Sequence, residues 1–245
     1  MKFLGVIPAR YASTRLEGKP LADIDGHSMI EWVYKRTLSS NLDMVVVATD
    51  NQLVYDKVKS FGGEVVMTSE NHQNGTSRIA EVAEIYSEFD VIINVQGDEP
   101  LIEKEMINAL ITPFLEEPKL SMATLKHRID SMEEVENPNN VKVITSKEDY
   151  AIYFSRSPIP YPRELDIKNY FKHVGIYGYR RDFVIKYSQM DQTPLEISES
   201  LEQLRVLENG YKIKVLETPY KIVGVDTKED LERVREIVKE GKITI

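Results

Sequence analysis

The chain has no cysteine. That absence excludes a disulfide framework, a thiol nucleophile and a Cys-ligated metal. Histidine is scarce, at four residues, and there is a single tryptophan. No run approaches the ~20 apolar residues of a membrane span. The apolar part of "MKFLGVIPAR" is too short for a secretory signal and meets Pro8 and Arg10 at once. A cytoplasmic protein with no membrane insertion is the expectation. Positive charge is in deficit, with 31 Lys+Arg against 40 Asp+Glu and a net charge of −9. That balance argues against non-specific binding to nucleic acid or anionic lipid. An anionic ligand would need a local cluster of cations.

What is present reads as one α/β domain. The 245 residues, 42% of them hydrophobic, suffice for a sizeable core. "FLGVI", "MVVVATD", "EVVMT" and "VIINV" are apolar, Val- and Ile-rich runs. Helical patterns lie between them at "SMIEWVYKRTLSSN", "NQLVYDKVKSF" and "GTSRIAEVAEIYSE". This alternation predicts a mainly parallel sheet between helices, its strands buried on both faces. The pattern weakens after residue 118. Residues 118–180 read as a mixed or antiparallel insertion, with strands at "SMATLKHR", "NVKVITS", "AIYFSRSPIPYP" and "KHVGIYGYR". A helix is expected at "ESLEQLRVLENG", a strand at "KIKVL", and a closing helix at "DTKEDLERVREIVKE" with Asp226 or Thr227 as its N-cap. His27 and His127 read as surface or turn residues, and His72 as a loop-structural one.

Three stretches carry chemistry. "GVIPARYASTRLEGKPL" concentrates Arg10, Arg15 and Lys19 where the first strand gives way to the first helix. Ligands of open α/β sheets sit at such strand ends, and small residues, backbone N–H groups and cations suit a polyphosphate. The stretch is neither a P-loop nor G-x-G-x-x-G. A solvated basic turn is the alternative. "VIINVQGDEP" puts Asp98 and Glu99 at another strand end, which suits Mg²⁺, a metal that takes one or two carboxylates plus phosphate oxygens. An ordinary Gly-Asp turn is the alternative there. "VGVDTKEDLERV" places Asp226 after an apolar run, as a metal partner for Asp98 or as a helix cap.

With "HQNGTSRIAEV", "FSRSPIPY", "HVGIYGY" and "SLEQLR" following in this order, the chain resembles the 3-deoxy-D-manno-octulosonate (Kdo) cytidylyltransferases, or CMP-Kdo synthetases, over nearly its whole length. The resemblance implies a Rossmann-like nucleotidyltransferase fold. It implies transfer of CMP from CTP to the anomeric hydroxyl of Kdo, with release of pyrophosphate and a need for Mg²⁺, activating Kdo for lipopolysaccharide synthesis. Matched motif by motif, Arg10, Lys19, Asp98 and Asp226 form the implied catalytic set, with Asp98 and Asp226 on the metal. Pro8, Ala9, Arg10, Ser13, Arg15, Lys19 and Arg78 fall in the nucleotide motifs. Gln96, Arg156, His173, Tyr177, Glu202 and Gln203 fall in the sugar motifs. The resemblance also implies a homodimer, built here through residues 118–180, which would serve the acceptor as well.

Glu17, Ser77 and the "LEIS" stretch depart from the family pattern. They leave open the choice between Kdo and an analogue such as an 8-amino sugar. A sugar-phosphate cytidylyltransferase would want further cations, and the insertion offers Arg156, Arg163 and Lys172. A catalytically dead nucleotide-binding module would have lost Lys19, Asp98 or Asp226, and all three are present.

Overall fold

The structure is a computed structural model that describes residues 1–12, 16–72, 74–163, 169–241, 243 and 245. Its centre is strand β1 (Phe3–Ala9), buried along nearly its full length. β1 lies between β4 (Met44–Thr49) and β6 (Val91–Asn94), parallel to both, and β5 (Val65–Met67) extends the sheet beyond β4. On the other flank come β10 (Phe171–Arg180), β7 (Met122–Arg128) and β11 (Ile213–Glu217), giving the order β11-β7-β10-β6-β1-β4-β5. β10 is antiparallel to both its neighbours, and the other pairings along this path are parallel.

Side chains alternate across the sheet as strand geometry requires. Phe3 and Ile7 join one core cluster, Leu4 and Val6 the other. Helices α1 (Met29–Leu38), α2 (Gln52–Ser60) and α4 (Lys104–Glu116) cover the first face. Helices α3 (Gly75–Ile85), α6 (Arg181–Ser188) and α8 (Gln203–Glu208) cover the second. The expected parallel sheet between helices is therefore the one observed.

Within residues 118–180 the strands divide. β7 and β10 enter the main sheet, while β8 (Lys142–Thr145) and β9 (Ala151–Ser155) form an antiparallel hairpin that pairs with β10 at Lys142 and Lys172. The short α5 (Met132–Glu136) lies between β7 and β8. The expected helix at 199–210 is split. Ser200 takes a left-handed backbone and ends α7 (Pro194–Glu199), and α8 begins only at Gln203.

A third cluster closes the molecule. Leu231, Val234 and Val238 of α9 (Lys228–Lys239) pack with Trp32, Met29 and Leu101, and Val225 is buried among them. Trp32 also donates to the Ile24 carbonyl at 2.8 Å, which makes it a packing residue. Ile24 belongs to a small hairpin, β2 (Asp23–Ile24) with β3 (His27–Ser28). His127, expected at the surface, is buried in β7, where its Nδ1 lies 2.9 Å from the Arg128 carbonyl.

Candidate active site

From β1 the chain winds outward to β4 and β5, then crosses back to place β6 on the other side of β1. A crevice at such a reversal, at the carboxyl ends of the strands, is where open α/β sheets bind ligands. Here it is a cleft of about 390 Å³. Pro8, Ala9, Arg10, Ala12, Lys19 and Pro20 form one wall, and Gln96, Gly97 and Asp98 the facing one. Gly75 and Asp226 complete it.

Local geometry explains the residue choices. Gly18 has φ +64°, the left-handed region, and turns the chain into the short 3₁₀ segment Lys19–Leu21. At Gly97 a Cβ would stand 2.6 Å from the Pro8 carbonyl oxygen, so only glycine lets the two walls approach this closely.

The Lys19 ammonium lies 2.7 Å from Asp98 Oδ2 and 3.3 Å from Asp226 Oδ1, and donates to the Val225 carbonyl at 3.0 Å. The two carboxylates therefore meet around one cation. Val225 donates its N–H to the Asp98 carbonyl at 2.9 Å, fixing the two segments to each other. Thr227, not Asp226, caps α9, in a reciprocal capping box with Asp230. That leaves the Asp226 carboxylate available to the cleft. Asp98 and Asp226 are a third to a half exposed. Next door, Glu99 is buried, and burial together with the charge of Asp98 pushes its carboxyl up to about 8.

Arg10 lines the cleft and donates to the His72 carbonyl at 2.7 Å. Its pKa is lowered by burial first and by neighbouring Arg78 second. Arg78 itself is fully buried and does not line the cleft. It is bonded to Asp50 and Thr68, and so stands behind Arg10. His72 pairs with Glu81, in agreement with a loop-structural role. Ser13 and Arg15 lie outside the described residues.

A second pocket, about 190 Å³, adjoins the first, sharing Gly75 and Gln96 with it. Tyr177, Glu202 and Gln203 line it, as the sugar motifs imply. Thr76, Asn94 and Tyr187 line it too and were not singled out from sequence. Asn94 does carry a signal, as the one polar residue ending an apolar strand. Tyr177 stacks on Tyr179 with centroids 5.8 Å apart. The Glu202 carboxyl is raised by burial and accepts from Thr76 Oγ1 at 3.0 Å.

Two predicted sugar residues stand outside this pocket. His173 is buried beneath Tyr177, its ring 5.4 Å from that of Tyr177 and its Nε2 3.0 Å from Thr124 Oγ1. Burial pushes its pKa down to about 3, so it is neutral. Arg156 donates to the carbonyls of Glu199, Ser200 and Pro138, which holds α7 against the end of β9. A larger hollow of about 530 Å³, between Pro118 and Lys212, opens at the amino ends of β7 and β11, away from these residues.

Residues 4–213 match the cytidylyltransferase family. The 3-deoxy-manno-octulosonate cytidylyltransferase of Fusobacterium nucleatum subsp. nucleatum is 66% identical over 245 residues, 100% of both chains. The chain belongs to the 3-deoxy-manno-octulosonate cytidylyltransferases. The corresponding protein of Geotalea daltonii is 51% identical over 98% of this chain and 99% of its own length. Among solved structures, a CMP:2-keto-3-deoxy-manno-octonic acid synthetase complexed with CTP superposes with a TM-score of 0.94 at 45% identity, covering 98% of this chain and 100% of that one. A structure named a putative glucose-1-phosphate thymidylyltransferase from Bacillus anthracis shares the fold alone, with a TM-score of 0.70 at 15% identity.

Proposed function

We propose that this cytidylyltransferase moves CMP from CTP to the anomeric hydroxyl of Kdo and releases pyrophosphate. The observation that carries this is the Lys19 ammonium between Asp98 and Asp226, in a cleft that continues into the tyrosine-lined pocket. The cleft offers cations for a triphosphate, and the adjoining pocket offers uncharged and acidic groups for a polyol.

The sugar oxygen forms a bond to the α-phosphorus as the bond to the bridging oxygen breaks and pyrophosphate leaves. No covalent enzyme intermediate is needed. Arg10 and Lys19 bind and orient the triphosphate, and Lys19 neutralises charge where it develops. Two carboxylates that reach one ammonium are close enough to share one metal ion, and Mg²⁺ asks for no more than that from protein. When bound, Mg²⁺ would supply Lewis-acid polarisation of the phosphate, with Asp98 and Asp226 as its protein ligands.

No helix among the described residues is long and apolar enough to cross a membrane, and a cytoplasmic site of action is part of this reading. So is a homodimer. Ile152 on β9, Tyr161 beyond it and Ile197 on α7 leave large apolar side chains exposed.

The test is a pyrophosphate-release assay with CTP, Mg²⁺ and a panel of acceptors: Kdo, its 8-amino analogue and a sugar phosphate. Kdo is expected to give a product with the mass of CMP-Kdo. Release with the sugar phosphate alone would overturn the reading.

A further inference from the structure

One hydrogen bond holds the Arg10 guanidinium. Its Nη2 donates to the His72 carbonyl at 2.7 Å, and it makes no other hydrogen bond or ion pair among the described residues. The rest of its donors remain for a ligand. A long side chain held at one point loses rotamer freedom only as far as that point is fixed. The aim of Arg10 into the cleft therefore depends on what fixes the main chain at His72.

Helix α3 fixes it from behind. The buried Arg78 bonds Thr68 Oγ1, just before the turn that carries His72. Glu81 follows one helical turn after Arg78 and faces the same segment. Its Oε2 accepts the Ser69 N–H at 3.0 Å and also pairs with His72 Nε2. One carboxylate oxygen thus ties Ser69 to His72. Between them Asn71 donates its N–H to Ser69 Oγ at 3.1 Å. Burial raises the Glu81 pKa, but the bonds to His72 and Ser69 outweigh it and hold the carboxyl below the usual carboxylate range. An ionised carboxylate only accepts, so His72 carries a proton on Nε2 and donates it. The helix itself is anchored, since Ile79, Val82 and Ala83 are fully buried in the second core cluster.

We propose that Glu81 is a positioning residue for nucleotide binding: through His72 it sets the carbonyl that aims Arg10 at the triphosphate. Neither Glu81 nor His72 lines the cleft, so the effect passes through Arg10. This rests on the reading above that Arg10 binds the triphosphate.

The test is the Kd for CTP, measured by titration calorimetry with Mg²⁺ and no acceptor. Glu81→Ala should weaken CTP about tenfold, as the turn loosens and Arg10 must be ordered on binding. His72→Phe keeps the carbonyl and a ring but breaks the pair, and should lose about as much. Glu81→Gln still accepts from both Ser69 and His72, and should recover to within about threefold of wild type. Arg10→Ala should weaken CTP by itself, and adding Glu81→Ala to it should change nothing further. A Glu81 that served folding alone would lower Tm and leave the Kd of Glu81→Ala at the wild-type value. That result, or an equal loss of affinity with and without Arg10, would overturn the proposal. A wild-type Kd in Arg10→Ala would fail the reading of the cleft itself, and the proposal with it.

Discussion

The backbone N–H of Val225 donates to the Asp98 carbonyl at 2.9 Å. This bond ties the segment before α9 to the loop after β6, and so it sets the distance between the two cleft carboxylates. Val225 is itself held in the cluster with Trp32 and Leu231. The spacing of the pair therefore rests on packing and main chain, and not on the carboxylates.

Asp98→Asn and Asp226→Asn should each lower kcat by about 10²–10³-fold at saturating Mg²⁺. Folding should change little, because both groups are partly exposed and their main chain is held independently. Kinetics alongside thermal melting check this. Near-wild-type turnover in either variant would remove that residue from the metal.

Lys19→Ala should act chiefly on kcat, by about 10²-fold, since its cation matters most when charge shifts in the transition state. Arg10→Ala should act chiefly on the KM for CTP. Unchanged constants in both would return the loop to a solvated basic turn.

Arg78→Met should cost about 3 kcal/mol of stability, because it leaves the partly buried Asp50 without its fully buried cation. A drop in Tm on the order of 10 °C is expected. A variant that keeps its Tm but loses CTP affinity would mean that Arg78 reaches the nucleotide directly.

His173 gives the pH dependence of stability one component, opposite in sign to that of the raised Glu99. The folded pKa of His173 is near 3 against 6.5 ordinarily, so the unfolded chain binds more protons between those values. Its contribution to stability is fully present above about pH 6.5 and is lost as pH falls toward 3. Relative to wild type, His173→Gln, which cannot gain that proton, should lose less Tm between pH 7 and pH 4. Parallel curves would mean that His173 does not contribute to the slope.

The alternating sheet and helices were legible because strands covered on both faces must be apolar throughout, as in β4 and β6. Helix α6 was not legible. It starts one residue after β10 ends, with no Gly or Pro to break the pattern. α4 carries Pro113 within it, which masks its start and stop signals. The cleft residues Arg10, Lys19 and Asp98 could be read locally, since each lies in the segment that follows an apolar strand. Asn94 could not be assigned to a pocket locally. Its setting comes from the antiparallel pairing with Tyr177, a contact made by distant parts of the chain. The burial of Arg78 is likewise a tertiary fact, invisible in "NGTSR".

Lys19 and Asp226 meet across 207 residues of sequence. During synthesis the triphosphate wall emerges early, with β1, while its partner carboxylate arrives only with the segment that leads into α9. A nascent or partly folded chain can therefore present cations to a nucleotide long before both cleft carboxylates are in place. Nucleotide capture and chemistry then become separable in time. A rise in turnover during refolding would report docking of the last helix, lagging any signal from the parallel strands.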